Sequence, residues 1–171
     1  STMELHVAQA DVTTLTVDAL VLPCTSMGTV AQPIRTELPE SVSLAIEAEL
    51  KAKTPLAVGA ALLVDPSAFA ASNLILVPVV KQADDPIQVQ HLRRAVKAAL
   101  IAAKVKRYQT LALPCMIPMS GDTTRSEGAR AVVQEINAHT DPFPEKIYLV
   151  DQKEDMVRIF DHAIHSAQYA L

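Results

Sequence analysis

The chain has 171 residues, with 15 Lys and Arg against 19 Asp and Glu, so its formal net charge is −4. Half of the residues are hydrophobic, only 4% are aromatic, and four glycines stand beside eleven prolines. This length is typical of one domain, and so hydrophobic a chain is not expected to be disordered. A mildly negative charge argues against broad nucleic-acid binding, which needs a dense cationic face. Four glycines also leave little material for a glycine-rich phosphate loop.

The cysteine count and the lack of long apolar runs predict a soluble, cytoplasmic protein. Two cysteines cannot build a disulfide framework or a four-cysteine zinc site. The N-terminal residues lack the basic and apolar segments of a signal peptide, and no apolar stretch approaches the roughly 20 residues that span a bilayer. Ser1 and Thr2 precede Met3 as an expression scar would. We therefore expect one domain over residues 3–171, with no membrane partner, no metal and no cofactor.

Four strands and one helix are predicted in the first half of the chain. The near-continuous apolar character of 17–22 is typical of a strand buried on both faces. We expect this strand to end at Pro23, and residues 27–36 to form a loop with at most a helical turn. Pro39 is placed to open a helix over 40–53, since proline suits the first helical position. The predicted strands are 4–8, 17–22, 58–64 and 73–80.

Helices and strands alternate in the second half. A long helix over 86–107 is indicated by an apolar stripe at helical spacing, and its charged opposite face is expected to be solvated. The stripe consists of Val89, Leu92, Val96, Leu100 and Ala103. The remaining elements are a strand at 109–113 stopped by Pro114, a helix at 125–138, a strand at 145–150 and a helix at 153–169. This order predicts one three-layer α/β/α domain with a largely parallel sheet of about six strands.

Three segments follow predicted strands and are candidates for a ligand site. Ligands of open α/β sheets bind beyond the carboxyl ends of the strands, which selects 10–13, 23–28 and 114–122. Two of these segments begin with a Pro-Cys step that contains Cys24 or Cys115. The cysteines are interpreted either as small hydrophobes that cap the core or as a reactive pair, which would require nearby cations or a helix N-terminus.

Two pairs of polar residues receive structural interpretations. His162 and His165 lie at neighbouring positions of the last predicted helix without an attached carboxylate motif, so we expect surface histidines rather than metal ligands. Asp84 and Asp85 precede Pro86, and we expect them to cap the N-terminus of the long helix.

The order of the candidate segments resembles that of the macro domain family. Ala10-Asp11-Val12-Thr13 is similar to the family's Gly-Asp-Ile-Thr segment, and the strand 17–21 is similar to its Val-Asp-Ala-Ile-Val strand. Residues 28–34 resemble a reduced form of the glycine-led loop, and 111–114 resembles the strand that ends Ala-Phe-Pro. The likeness extends over nearly the whole chain and implies a mixed six-stranded sheet flanked by helices.

The resemblance implies an ADP-ribose-type ligand. In the family, the aspartate that corresponds to Asp11 accepts a hydrogen bond from the adenine amino group, and the backbone of its neighbour also contacts the base. The alternative for this chain is that Asp11 only caps a turn. Backbone groups near Gly28, Ser120 and Gly121 would hold the phosphates. The full set of candidate ligand-binding residues is Asp11, Val12, Thr25, Ser26, Gly28, Val30, Pro114, Ser120, Gly121 and Asp122.

The chain also departs from the family pattern in ways that bear on function. The family's Asn-Ala-Ala-Asn segment, which places an amide at the distal ribose, aligns with Leu22-Pro23-Cys24-Thr25, so both amides are missing. Hydrolysis by the family's route is therefore not expected, and no catalytic residue is assigned. The phosphate loops are poor in glycine, which predicts weakened binding or altered selectivity for ADP-ribose or a related nucleotide.

Two other functions remain open at this point. One is an interaction or scaffold domain that has lost its ligand, similar to the N-terminal domain of leucine aminopeptidases, with the cleft filled by Met27, Met116 and Met119. The other is an ADP-ribosyl hydrolase that uses Thr25, Ser26 or Asp122 in place of the missing amides. A homo-oligomer is also open.

Overall fold

A computed structural model describes residues 3–118, 121 and 123–168. Six strands form one sheet within these residues: β1 (Glu4–Gln9), β2 (Ala19–Thr25), β3 (Leu62–Val64), β4 (Leu74–Val80), β5 (Thr110–Pro114) and β6 (Lys146–Asp151). The helices are α1 (Ile34–Glu37), α2 (Glu40–Lys51), α3 (Val89–Lys106), α4 (Arg125–Ala138) and α5 (Glu154–Gln168), and a single 3-10 turn covers Val12–Thr14.

The sheet has the strand order β1-β6-β5-β2-β4-β3, in which only β3 runs antiparallel to its neighbour. β1, β6 and β5 pair along their lengths, and β2 pairs with β4 from Leu20 to Thr25. By contrast, β2 and β5 pair only where Ala19 and Leu20 meet Leu111 and Ala112. The two strands at the centre of the sheet therefore separate toward their carboxyl ends.

Both faces of the central strands are buried, which explains their continuous apolar sequences. In β2 and β4, Val21, Ile75 and Val77 belong to the core beneath α3, α4 and α5, whereas Leu20 and Leu22 belong to the opposite core. That second core is closed by α2 and by the segments around Val12 and Ile34. The three-layer α/β/α arrangement predicted from the sequence is confirmed.

Strand β2 runs through a proline that we expected to end it. Pro23 lies inside β2, where its carbonyl oxygen accepts a hydrogen bond from the Ala31 N–H at 2.9 Å. A residue directs its N–H and C=O to the same side of a strand, so the missing N–H of Pro23 falls on the side that β5 has left. The expected end of β2 at Pro23 is wrong for this reason, whereas β5 does end at Pro114.

Other expectations are corrected at element ends. The strand expected over 58–64 is limited to β3, and the long helix begins at Val89 with Gln88 as its N-cap. Asp84 and Asp85 are therefore not its caps. Instead, Asp85 Oδ2 accepts a hydrogen bond from the Gln82 N–H at 3.0 Å in the preceding turn.

The predicted buried and exposed positions of the helices agree with the structure at most residues. The buried face of α3 contains Leu92, Val96, Leu100 and Ala103, as predicted, while Val89 is only partly buried. His162 and His165 are exposed. No helix in the described part of the chain is long and apolar enough to cross a membrane.

Candidate functional site

A cleft of about 430 Å³ opens near the carboxyl ends of β5 and β6. One wall is formed by the segment that leads into α1 and by α1 itself, and the other by the residues that follow β5 and β6. The wall residues that matter below are Gln32, Thr36, Glu37, Pro118, Arg125 and Lys153. The cleft lies where the sheet rule predicts a ligand, but its wall is built by neighbours of the predicted residues.

The cleft contains cations and one acidic group that have no ion-pair partner among the described residues. The Nε of Arg125 donates to the Ile117 carbonyl at 3.1 Å, and its guanidinium forms no salt bridge with a described carboxylate. The Lys153 backbone N–H donates to Asp151 Oδ2 at 2.8 Å, whereas its ammonium group forms no ion pair with any described residue. Burial raises the pKa of Glu37, and the charge of Asp151 raises it further, against the opposing effect of Lys153 and Arg125. The cleft can therefore attract an anion, and Glu37 opposes it.

Asp11 lies close enough for its charge to act on Glu37. Its Oδ1 accepts hydrogen bonds from the N–H and the hydroxyl of Thr13, both at 2.8 Å, so Asp11 caps the 3-10 turn. The side chain is exposed, and its Oδ2 has no partner among the described residues. Val12 is buried in the core at 2% exposure. Asp11 therefore caps the turn through Oδ1.

The polar groups of the loop after β2 already form hydrogen bonds within the protein. The Thr25 hydroxyl is buried and pairs with the Thr29 hydroxyl at 2.7 Å, and the Ser26 N–H donates to the Val80 carbonyl at 2.9 Å. The Gly28 N–H donates to the Thr25 carbonyl at 3.1 Å. Gly28 has φ +87°, and a Cβ there would lie 2.8 Å from Thr54 Cγ2, so only glycine fits this turn.

A buried carboxylate, that of Glu47, accepts the hydrogen bond of the Val30 N–H. The Val30 N–H donates to Glu47 Oε2 at 2.8 Å, and Arg35 Nε donates to the same oxygen at 3.0 Å. Glu47 is 3% exposed. Burial raises the pKa of this carboxyl group, but the hydrogen bonds from Arg35 and Val30 and the charge of Arg35 together outweigh burial and lower it. Gly28, expected to lie near the phosphates, and Val30, expected to bind ligand, therefore offer no free N–H in this conformation.

The loop after β5 is only partly described. Pro114 is buried and pairs with Val150 of β6, and Gly121 is exposed with φ +125°. Ser120 and Asp122, which we predicted to bind ligand, lie outside the described residues, as does Met119. Thr123, at the end of the loop, donates through its hydroxyl to the Ile87 carbonyl at 2.8 Å.

Both cysteines are part of the hydrophobic core. Cys24 is 0% and Cys115 is 1% exposed, and burial raises the pKa of the Cys24 thiol to about 12 and that of Cys115 to about 11. Thiols with such pKa values are protonated at neutral pH and weakly nucleophilic. The interpretation as small hydrophobes is confirmed.

The methionine plug that the scaffold hypothesis requires is not formed by Met27 or Met116. Met27 is 56% exposed and Met116 is 1% exposed in the core, and neither lines the cleft.

The charged residues of the cleft were not identified from the sequence. The end of β6 should have been included by the same strand-end rule, which would have found Lys153. Glu47 lies on the helix predicted over 40–53 and Glu37 lies just before it, and no local pattern separates either residue from solvent-facing glutamates.

Comparison with known proteins gives concordant results. The family model of the Macro domain matches residues 18–121. An uncharacterized protein of Aquifex aeolicus (strain VF5) is 27% identical over 162 residues, which are 95% of this chain and 98% of that protein. The Oceanobacillus iheyensis macrodomain with ADP superposes with a TM-score of 0.78 at 15% identity, covering 98% of this chain and 93% of that one. The Trypanosoma brucei macrodomain in complex with ADP gives a TM-score of 0.74 at 13% identity, covering 94% and 69%.

Proposed function

The chain belongs to the macro domain family, and on that premise we propose that its cleft binds ADP-ribose or a related nucleotide, with a selectivity set by side-chain charges rather than by backbone N–H groups. The observation that carries this proposal is the open cleft near the carboxyl ends of β5 and β6, which is lined by Arg125 and Lys153, two cations without a salt bridge to any described residue. Similar macrodomains from two organisms contain ADP in their structures.

Asp11 is the group best suited to recognise the base. Its Oδ2 is an acceptor without a donor among the described residues, while Oδ1 is held by Thr13 at 2.8 Å. An acceptor-only carboxylate favours the exocyclic amino group of adenine over the carbonyl of hypoxanthine. The Thr13 contacts orient the carboxylate before a ligand arrives, which lowers the entropic cost of recognition.

The phosphates are proposed to be held differently from the sequence expectation. The Gly28 and Val30 N–H groups already donate to Thr25 and Glu47. Arg125 and Lys153 are cations on the cleft wall, and both carry full charges that favour phosphate oxygens. This supports binding with altered selectivity. A catalytic step is not part of the proposal, because the hydroxyl of Thr25 is buried and paired with Thr29.

Calorimetric titration with matched nucleotides tests the proposal. We expect AMP to bind more tightly than IMP, which differs at the amino group, and Asp11→Asn to weaken AMP binding by about tenfold, since one charge-assisted hydrogen bond contributes about 1.5–3 kcal/mol. Asp65→Asn is the matched control, because Asp65 also caps a local turn, with Ser67, and does not line the cleft. Absence of binding by ADP-ribose, AMP and adenosine at millimolar concentration would refute the proposal.

We also propose that the chain forms a homodimer through an apolar face beside β3. Leu63, Ile101 and Val105 are 39%, 51% and 70% exposed and border a surface cavity of about 370 Å³. β3 is an edge strand, so its outer N–H and C=O groups are available to a second strand. Of the residues that line this cavity, only Lys106 is charged, so two copies can meet around a twofold axis with little like-charge repulsion.

A further inference from the structure

Glu37 is the acidic residue in the wall of the cleft. It is the last residue of α1 and is only partly exposed. Its carboxylate makes no hydrogen bond and no ion pair with any described residue, unlike Glu47, which lies ten positions further on and accepts hydrogen bonds from Val30 and Arg35. A carboxylate in this setting is ready to interact with whatever enters the cleft.

Charged groups of both signs face Glu37 from every neighbouring element. Asp151 and Lys153 approach from the end of β6, Arg125 from α4, and Asp11 from the 3-10 turn. The Cys115 thiol, at the end of β5, also lies within range and is protonated at neutral pH. Two cations therefore attract an anionic ligand to a cleft in which an unpaired carboxylate repels it.

We propose that Glu37 is a specificity-determining residue that makes the binding of nucleotide phosphates conditional on its own protonation. In the ionised state its charge opposes phosphate groups held by Arg125 and Lys153. In the protonated state the repulsion disappears, and the carboxyl O–H can donate to a phosphate oxygen. The affinity for a nucleoside without phosphate does not depend on this protonation. The inference rests on the proposed function, since it concerns the same cleft.

The environment of Glu37 supports such a role. Burial and the charge of Asp151 raise the pKa of its carboxyl group, which brings protonation closer to physiological pH than for an exposed glutamate. A bound phosphate adds negative charge and must raise this pKa further. By linkage, binding of a phosphate-bearing ligand takes up a proton from solvent, and affinity rises as the pH falls.

Calorimetry between pH 5.5 and 8 tests the proposal with ADP-ribose and adenosine. ADP-ribose is chosen because its diphosphate lacks the phosphomonoester ionisation near pH 6 that would add its own pH dependence. At pH 8 we expect Glu37→Gln to bind ADP-ribose about tenfold more tightly than the unsubstituted chain, which corresponds to 1.4 kcal/mol. The difference between the two affinities should narrow as the pH falls, and adenosine affinity should be the same in both proteins.

Proton uptake is a second, independent readout. Titrations in buffers of different ionisation enthalpy should show net proton uptake when ADP-ribose binds to the unsubstituted chain, and less uptake with Glu37→Gln. Glu145→Gln is the matched control, because Glu145 is exposed and precedes the amino end of β6, at the opposite edge of the sheet. This control should behave as the unsubstituted chain does.

The outcomes separate the two proposals. If ADP-ribose binds but Glu37→Gln binds it no more tightly at pH 8, or if proton uptake is unchanged, the role of Glu37 is refuted while the proposed function stands. If neither ADP-ribose nor adenosine binds to either protein at any pH, the proposed function fails and the role of Glu37 fails with it.

Discussion

Two glutamates ten positions apart show how differently one residue type behaves in this protein. Glu47 is 3% exposed and accepts hydrogen bonds from the Val30 N–H and from Arg35, and its pKa is lowered. Glu37 is better exposed, has no such partner among the described residues, and its pKa is raised. Burial disfavours the charge of both, but only Glu47 is compensated by donors.

The first stability prediction concerns Glu47. Removing the carboxylate in Glu47→Ala leaves the buried Val30 N–H and one side of Arg35 without partners, and we expect a loss of about 2 kcal/mol in the free energy of unfolding. Glu47→Gln keeps an acceptor and should lose less. Urea denaturation at pH 7 measures both, and the exposed Glu40→Gln, which also contacts Arg35, is the control with an expected change below about 0.5 kcal/mol.

The pH dependence of that stabilisation has a definite sign. Because the pKa of Glu47 is lower in the folded state, its contribution is complete above the unfolded value of about 4.3 and is lost as the pH falls through the folded value. Glu47→Gln should therefore differ most from the unsubstituted chain near neutral pH and least in acid. A stability difference that grows on acidification would contradict this assignment.

At the scale of elements, α4 shows both what local pattern predicts and what it omits. The helix extends over 125–138, as predicted, because Thr124 caps it by accepting from the Glu127 N–H at 3.1 Å and apolar residues recur on one face. The close packing at Gly128 has no counterpart in the pattern. A Cβ at Gly128 would lie 1.7 Å from Ile117 Cδ1, so α4 presses directly on the loop that forms part of the cleft.

Gly128→Ala tests this packing. The added methyl group must displace Ile117, which is 2% exposed, and the cost of overpacking should exceed the gain in helix propensity, for a net loss of about 1–2 kcal/mol. Chemical denaturation measures the change, with Ser126→Ala on the exposed face of the same helix as control. Equal stability of Gly128→Ala and the unsubstituted chain would show that the loop yields without cost.

The sequence-based predictions of elements fail in a consistent way. Pro23 was expected to end β2, and it does not because β5 has already separated from β2 at that point. In α2, the polar residues Ser43 and Glu47 are buried beside Ile46 and Leu50, which the apolar pattern does not predict. In both cases the outcome depends on what lies on the other side of the element, which local periodicity does not contain.

At the scale of the whole molecule, the proposed homodimer is the property most open to direct measurement. Val105 is the most exposed of the three apolar residues beside β3, so a charge there should oppose association. We expect the unsubstituted chain to sediment as a dimer at micromolar concentration and Val105→Glu to sediment as a monomer. Gln90→Glu adds the same charge elsewhere on α3 and should leave the dimer intact; a monomeric unsubstituted chain over the whole concentration range would contradict the proposal.

The scarcity of glycine predicted loops with few backbone N–H groups for phosphate. In the tertiary structure, the Gly28 and Val30 N–H groups donate to Thr25 and Glu47. Six strands, four helices and the three-layer arrangement follow from apolar periodicity and turn residues, because these depend on neighbours in the chain. Three features of the cleft region do not follow from the sequence pattern, because they depend on the packing of the folded chain. These are the hydrogen bonds already made by the Gly28 and Val30 N–H groups, the lack of a described partner for Glu37, and the placement of Arg125 and Lys153 in one cleft. The amino-acid sequence alone therefore determined the fold and the edge of the sheet at which the candidate site lies. Only the packed chain decided which charges line the cleft, since hydrogen-bond satisfaction and desolvation are properties of the space around a group.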